Sequence, residues 1–151
     1  MDKDTFDIVV SGYIVKQGRI LLIHHKKLYK WLPPGGHIEE NEIPDLALKR
    51  EMKEELGLKV ELVQYPLHRK GNRSQFALPF YTDVHDIKDN HHHYCLHYLC
   101  KPLNDDVQIS KKEVLSYRWL SSKELSSLVP SLDEGLILTC REAIELMKKF
   151  S

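Results

Sequence analysis

The sequence lacks an excess of charge of either sign and a long apolar run. Lysine plus arginine and aspartate plus glutamate number 22 each, so the formal net charge is zero. General binders of nucleic acid or membrane surfaces carry a basic excess, so we expect neither as a partner. No apolar stretch approaches membrane-spanning length, and the start, MDKDTFDIVV, has no basic region before an apolar run. We therefore expect no signal peptide.

Cysteine is also scarce. The three cysteines are Cys95, Cys100 and Cys140, and no two of them form a CxxC pair. Three thiols cannot all pair within one chain, which predicts a reduced, cytoplasmic compartment. The length of 151 residues and the 42% hydrophobic content suit a single domain over residues 1–151. We expect this domain to be a monomer or a homodimer.

The chain mixes strand and helix patterns. Runs rich in β-branched and aromatic residues predict strands at residues 8–15, 20–24, 58–63, 76–82, 94–100 and 114–119. Residues 30–37 contain Pro-Pro-Gly-Gly and are predicted to form a loop. A helix is predicted over residues 44–56, where proline occupies the first position and Gly57 provides the stop. Without strict alternation of strand and helix, this order favours a mixed sheet covered by helices.

Two further helices are predicted near the end of the chain from capping boxes. Ser121 with Glu124 predicts a short helix, and Ser131 with Glu134 predicts a longer one. In the longer helix the apolar residues fall on one face, which should pack on the core. Those residues are Ile137, Cys140, Ile144 and Met147.

Three glutamates share one face of the helix predicted at residues 44–56. At about 100° per residue, Glu51, Glu54 and Glu55 fall on one arc beside an apolar stripe. Acidic clusters on helices are usually solvated surface. These acids, however, adjoin the apolar stripe and lie in the C-terminal half of the helix, where the macrodipole disfavours negative charge. A hard divalent cation such as Mg²⁺ or Mn²⁺ would compensate for this.

The segment around this helix, GGHIEENEIPDLALKREMKEELGL, resembles the Nudix box of the MutT-like hydrolases. It supplies the fixed positions of the box at the family's spacing: Gly36, Glu42, Arg50, Glu51, Met52, Glu54, Glu55, Gly57 and Leu58. Trp31-Leu32-Pro33 and Arg118-Trp119-Leu120 also look like the family's flanking sequences. The resemblance implies a Nudix-like α/β/α sandwich, an α+β type of α/β fold with a mixed sheet flanked by helices.

The resemblance also implies a chemistry. It is that of a Mg²⁺- or Mn²⁺-dependent pyrophosphohydrolase, which cleaves a small nucleoside-diphosphate-linked substrate by attack of water at phosphorus. Matched by position, the metal ligands would be the carbonyl of Gly35 and the side chains of Glu51, Glu54 and Glu55. Family members usually add an acid from outside the box, and here Glu113 stands six residues before Trp119. The alternative for Glu113 is a plain exposed loop glutamate.

The remaining box residues have expected roles as well. Glu51 or Glu54 is the candidate general base. Arg50 is expected to act in catalysis by orienting Glu51, without touching the substrate. Gly36, Glu42 and Gly57 are expected to support the geometry of the loop and helix.

Candidate substrate contacts lie outside the box. Arg69 and Arg73 belong to a basic turn, which either binds the phosphates of the substrate or is a solvated hairpin tip. His93, Cys95 and His97 alternate along a predicted strand and so share one face. Two histidines and a cysteine are zinc ligand types, but the sequence shows no fourth ligand. We favour the alternative that this face lines the nucleotide pocket, with His97 as the contact.

Two other functions stay open. The chain could be a non-catalytic Nudix-fold nucleotide-binding or sensor module, or a Nudix-related isomerase or repair protein. Loss of catalysis usually shows as broken box positions, and this box is intact. The neutral charge and short length disfavour repair of nucleic acid. The sequence does not select the base or the leaving group of the substrate.

Overall fold

The computed structural model describes residues 3–63 and 77–150. The strands are β1 Thr5–Lys16, β2 Arg19–His25, β3 Lys30–Leu32, β4 Gly35–His37, β5 Val60–Leu62, β6 Tyr81–Lys88, β7 His91–Pro102 and β8 Val114–Ser121. The helices are α1 Pro44–Leu56 and α2 Glu134–Met147, with short 3-10 turns at Glu124–Ser127 and Lys148–Phe150. Within this part of the chain, no helix is long and apolar enough to cross a membrane.

The strands form one mixed sheet around β1 and β7. The order is β3-β2-β1-β7-β5, with β8 paired to β2, β4 to β1 and β6 to β7. β1 and β7 run parallel, with Val9 opposite Cys95, whereas every other pairing within the described residues is antiparallel. Strand β1 therefore pairs with β4, which contains the two glycines, and with β7, which in turn pairs with β6.

The two helices cover opposite faces of this sheet. Val10 and Ile14 of β1 belong to a buried cluster that includes the apolar side of α1. Tyr13 and Val15 belong to a second cluster that includes the apolar side of α2. Successive side chains of a strand point to opposite faces, so these two clusters lie on the two sides of the sheet. The predicted mixed sheet flanked by helices is confirmed.

Helix α1 has the bounds that the sequence predicts. Pro44 is its first residue, and Gly57 ends it in the left-handed conformation, with φ of 64° and its N–H donating to the carbonyl of Lys53. The Ser121–Glu124 capping box also forms, because each residue's backbone N–H donates to the other's side-chain oxygen. The apolar face predicted for the last helix is buried or half-buried in the α2 cluster.

Three local predictions are wrong. The N-cap of α2 is Asp133, not Ser131, because the Asp133 carboxylate accepts the N–H of Leu136. Residues 30–37, predicted as loop, contain β3 and β4, which pair with β2 and β1 respectively. The strand predicted at 76–82 instead starts at Tyr81 and runs to Lys88, after a proline that cannot donate to a ladder. Residue 76 itself lies outside the described residues.

Candidate active site

The packing of α1 sets the direction of its acidic face. Leu48, Met52 and Leu56 are fully buried, which fixes the rotation of the helix about its axis. Glu51 and Glu55 then face β4. A Cβ on Gly36 would lie 2.4 Å from the carboxyl carbon of Glu51, so only glycine leaves room for this carboxylate.

A third glutamate reaches the same place from the loop before β8. The N–H groups of Gln108 and Ser110 donate to the carbonyls of Leu56 and Glu55, at 2.8 and 2.9 Å. These bonds satisfy carbonyls at the end of α1, which the helix cannot satisfy itself. The same loop continues to Glu113, whose carbonyl accepts the N–H of Lys26 at 2.9 Å. The end of α1 and the residue that follows β2 thus position Glu113.

Glu51, Glu55 and Glu113 form a group of carboxylates. One oxygen from each lies within 4.8 Å of the others. Glu55 is only 4% exposed. Within residues 3–63 and 77–150, its Oε2 is buried and has no hydrogen-bond partner. Buried polar atoms nearly always have a partner, so this oxygen indicates a ligand.

The electrostatics of the group point the same way. Burial raises the pKa of Glu55 to about 9, and the charges of Glu51 and Glu113 add to the shift. Burial also raises the pKa of Glu51, although Arg50 opposes this. A divalent cation would reverse the penalty by favouring the ionised forms. The oxygen ligand set suits a hard cation such as Mg²⁺ or Mn²⁺.

Arg50 links several residues of the box through hydrogen bonds. Its Nε and Nη2 donate to the two oxygens of Glu42 at 2.8 and 2.9 Å. Its Nη1 donates to Glu51 at 2.9 Å, and its Nη2 also donates to the carbonyl of His37 at 3.0 Å. This bidentate contact with Arg50 lowers the pKa of Glu42 to about 2. Arg50 thus connects α1 to the loop before it and contacts Glu51 directly.

The other predicted site residues are placed in different ways. Glu54 stands outside the carboxylate group, with its side chain 58% exposed and 3.3 Å from Nη1 of Arg50. Gly35 packs on β1, where a Cβ would lie 2.0 Å from the carbonyl oxygen of Val10. Arg69 and Arg73 lie outside the described residues.

Lysines surround the mouth of the carboxylate group. Lys26, Lys27 and Lys112 line a depression of about 600 Å³ together with Glu51 and Glu55. Positive side chains at this position suit phosphate oxygens. Lys112 was not predicted as a site residue from the sequence. The feature of the sequence that could have indicated it is its position next to Glu113.

A second cleft of about 610 Å³ leads from Glu55 and the Gly35-Gly36 strand towards α2. His97 lies in this cleft and is 5% exposed. Its Nε2 is 2.8 Å from Oδ1 of Asp83, and its Nδ1 hydrogen-bonds with the hydroxyl of Ser11. Tyr81 stacks on its ring at 5.4 Å between centroids. The sequence did not predict Asp83, Ser11 or Tyr81 as site residues, because other strands bring them to His97.

Both the sequence and the fold relate the chain to known proteins. A model of the NUDIX domain matches residues 5–138, which include all three glutamates of the group. The chain is similar to a MutT-like protein of Streptomyces ambofaciens, with 28% identity over 121 residues, or 79% of this chain and 66% of that protein. It is also similar to an 8-oxo-dGTP diphosphatase of Buchnera aphidicola, with 41% identity over 56 residues, or 34% of this chain and 43% of that protein.

The matched region thus spans less than two thirds of the length of these curated relatives. Among solved structures, the chain resembles a hydrolase of the NUDIX family from Clostridium perfringens. The TM-score is 0.80 and the identity 31%, over 93% of this chain and 97% of that one.

Proposed function

The chain belongs to the Nudix family, and we propose that it is a hydrolase that cleaves a pyrophosphate bond in a small nucleotide-type molecule with the help of Mg²⁺ or Mn²⁺. One observation carries the proposal. Oxygens of Glu51, Glu55 and Glu113 lie within 4.8 Å of one another, and the buried Oε2 of Glu55 has no partner among the described residues. Burying such a group of ionised carboxylates is unfavourable, and a bound cation would remove much of that cost.

These three glutamates would hold the cation, and the resemblance of the box adds the carbonyl of Gly35. The resemblance also offers Glu54 as a ligand, but its side chain stands outside the group, and we give it a different role. Bound there, a divalent cation supplies positive charge against the pyrophosphate oxygens and makes water a stronger nucleophile at neutral pH. Lys26, Lys27 and Lys112 supply further positive charge at the mouth of the site.

A carboxylate must accept the proton of the attacking water. Of the two candidates, Glu51 belongs to the group and its side chain is only 12% exposed, whereas the side chain of Glu54 is 58% exposed and stands beside the group. We assign the role of proton acceptor to Glu54, because its carboxylate lies outside the group that would hold the cation and is open to solvent. Nη1 of Arg50 contacts both carboxylates, at 2.9 Å for Glu51 and 3.3 Å for Glu54, and so sets their relative positions.

The cleft beyond Glu55 would receive the rest of the substrate. Tyr81, Thr139 and Leu136 give it aromatic, polar and aliphatic surfaces, which suit a nucleoside. The relative named 8-oxo-dGTP diphosphatase makes nucleoside triphosphates, including oxidised ones, the first substrates to test. We expect the protein to act on them in the cytoplasm, as a monomer or a homodimer, without nucleic acid or membrane as a partner.

The test is a hydrolysis screen of the purified protein with Mg²⁺ and then Mn²⁺. The panel contains nucleoside triphosphates, oxidised nucleotides, ADP-ribose, nucleotide sugars, dinucleoside polyphosphates and NADH, with products separated by chromatography. Metal-dependent release of a phosphorylated product supports the proposal and identifies the substrate. A folded protein that binds nucleotides but releases no product would support the non-catalytic binding module instead.

A further inference from the structure

A second group of potential metal ligands lies apart from the glutamates, on the β6–β7 pair. Asp83, His85, Cys95 and His97 each offer one ligand atom, and these four atoms lie within 4.8 Å of one another. The register of the strands creates the group, because Asp83 stands directly opposite Cys95 in the antiparallel pairing. His85 and His97 are two residues further along their own strands and therefore share the same face.

The four side chains are already in mutual contact. Oδ1 of Asp83 lies 2.8 Å from Nε2 of His97 and 3.0 Å from Nε2 of His85. The Sγ of Cys95 lies 3.6 Å from Nδ1 of His97. Ser11, on the adjacent β1, hydrogen-bonds with Nδ1 of His97 and so fixes the orientation of that ring.

The group has a buried end and an open end. Cys95 and His97 are each only 5% exposed, whereas the side chain of His85 is 53% exposed. All four residues line the cleft of about 610 Å³. An ion can therefore enter from the cleft and meet the thiol and imidazole at its wall.

We propose that Asp83, His85, Cys95 and His97 form a binding site for Zn²⁺ that is distinct from the glutamate site. Zn²⁺ takes four ligands in a tetrahedron and accepts sulfur, imidazole nitrogen and carboxylate oxygen. Mg²⁺ prefers oxygen ligands, so the thiol distinguishes the two sites. Zn²⁺ binds the thiolate, and the thiol proton of Cys95 is released to solvent on binding. The proposal does not rest on the proposed hydrolase activity.

The group in the structure differs from the pattern of His93, Cys95 and His97 seen in the sequence. His93 stands on the same face of β7 but contacts other groups. Its Nε2 is 4.0 Å from Oδ2 of Asp7, and its ring packs edge-on against His37. Asp83 and His85 take its place beside Cys95 and His97. Asp7, His91 and His93 form a separate group of nearby ligand atoms, which contains no thiol.

The test uses the whole protein, reduced and kept in excess Mg²⁺ so that the glutamates are occupied. Co²⁺ serves as a spectroscopic probe for the Zn²⁺ site, because a thiolate ligand gives a charge-transfer absorption band that oxygen and nitrogen ligands do not give. The variants are Cys95→Ala and His85→Ala. Cys140→Ala is the matched control, since it removes a buried cysteine that does not belong to the group.

We expect the wild type and Cys140→Ala to bind one Co²⁺ per chain with the thiolate band, and Zn²⁺ to displace it. Cys95→Ala should lose the band, and His85→Ala should bind Zn²⁺ at least about tenfold more weakly. If Cys95→Ala fails to fold, the site is tested by the Zn²⁺ affinity of His85→Ala, which changes a partly exposed residue, and by the absorption band of the wild type. Absence of binding, or binding without the band, would overturn the proposal. So would binding that is lost in His91→Ala and kept in His85→Ala.

Discussion

Gly36 lies so close to the carboxyl group of Glu51 that no side chain would fit between them. A Cβ built on Gly36 would stand 2.4 Å from both the carboxyl carbon and Oε1 of Glu51. The glycine is not in the left-handed region of backbone conformation. Its role is therefore steric, and it allows strand β4 to approach the acidic face of α1.

Gly36→Ala should weaken binding of the divalent cation by about 10- to 100-fold, the loss typical when groups that orient metal ligands are disturbed. The added methyl group must displace Glu51, because the strand backbone is held by its pairing with β1. Titration with Mn²⁺, followed by its paramagnetic signal, measures the change. Unaltered affinity in a folded Gly36→Ala protein would show that Glu51 does not need this position to hold the cation.

Glu54→Gln should lower kcat by about 10²- to 10⁴-fold, the range supplied by a general base. The fold should persist, since this side chain is mostly exposed on the surface of α1. Glu61→Gln on β5 is a matched control, because Glu61 is an exposed glutamate outside the site. Full activity of a folded Glu54→Gln protein would remove Glu54 from the catalytic residues.

Glu55 should make the metal-free protein less stable as the pH rises. Its pKa is about 9 in the folded protein, against an ordinary value of 4.5. Between those values the folded protein holds a proton that the unfolded chain has released, so the free energy of unfolding falls as the pH rises from about 4.5 towards 9. Glu55→Gln cannot ionise and should lack this part of the pH dependence.

The measurement for Glu55 is thermal unfolding of both proteins in a chelator over that pH range. At the alkaline end Glu55→Gln should have the higher Tm. A steeper loss of Tm in Glu55→Gln than in the wild type would contradict the assignment. Added Mg²⁺ should raise the Tm of the wild type more than that of the variant, because a ligand that binds only the folded state stabilises it.

The apolar stripe of α1 should matter more for stability than the exposed side of the same helix. Leu48→Ala should lower the free energy of unfolding by about 2–5 kcal/mol, because it leaves a cavity in a fully buried position. Leu46→Ala should change it by about 0.5 kcal/mol or less, since Leu46 is an exposed surface position. Chemical denaturation measures both. Equal losses in the two variants would show that α1 is not held by this stripe.

The features predicted well from the sequence are those that depend on local spacing. The bounds of α1 follow from Pro44 and Gly57, and the shared face of Glu51 and Glu55 follows from helical periodicity. Glu113 was a candidate only through the resemblance to the Nudix box. Its actual position depends on the hydrogen bonds from its loop to the end of α1, which no local pattern shows.

The features that escaped prediction depend on pairing between distant segments. Strands β3 and β4 are three residues each and exist because β2 and β1 supply their partners. Strand β6 is polar and largely exposed, so it lacks the apolar pattern that identifies a strand. The sequence pattern of His93, Cys95 and His97 shows no fourth metal ligand. The register of β6 places Asp83 opposite Cys95, so this further ligand is evident only from the fold.

The central claim is that the buried glutamates hold the divalent cation on which hydrolysis depends. The most direct measurement compares Mg²⁺ binding and substrate turnover in the wild type and Glu55→Gln, on the best substrate of the screen. We predict that Glu55→Gln folds but loses Mg²⁺ affinity and turnover together, and that higher Mg²⁺ restores part of the activity. Turnover at the wild-type rate in Glu55→Gln, or turnover by the wild type in the presence of excess chelator, would contradict the claim.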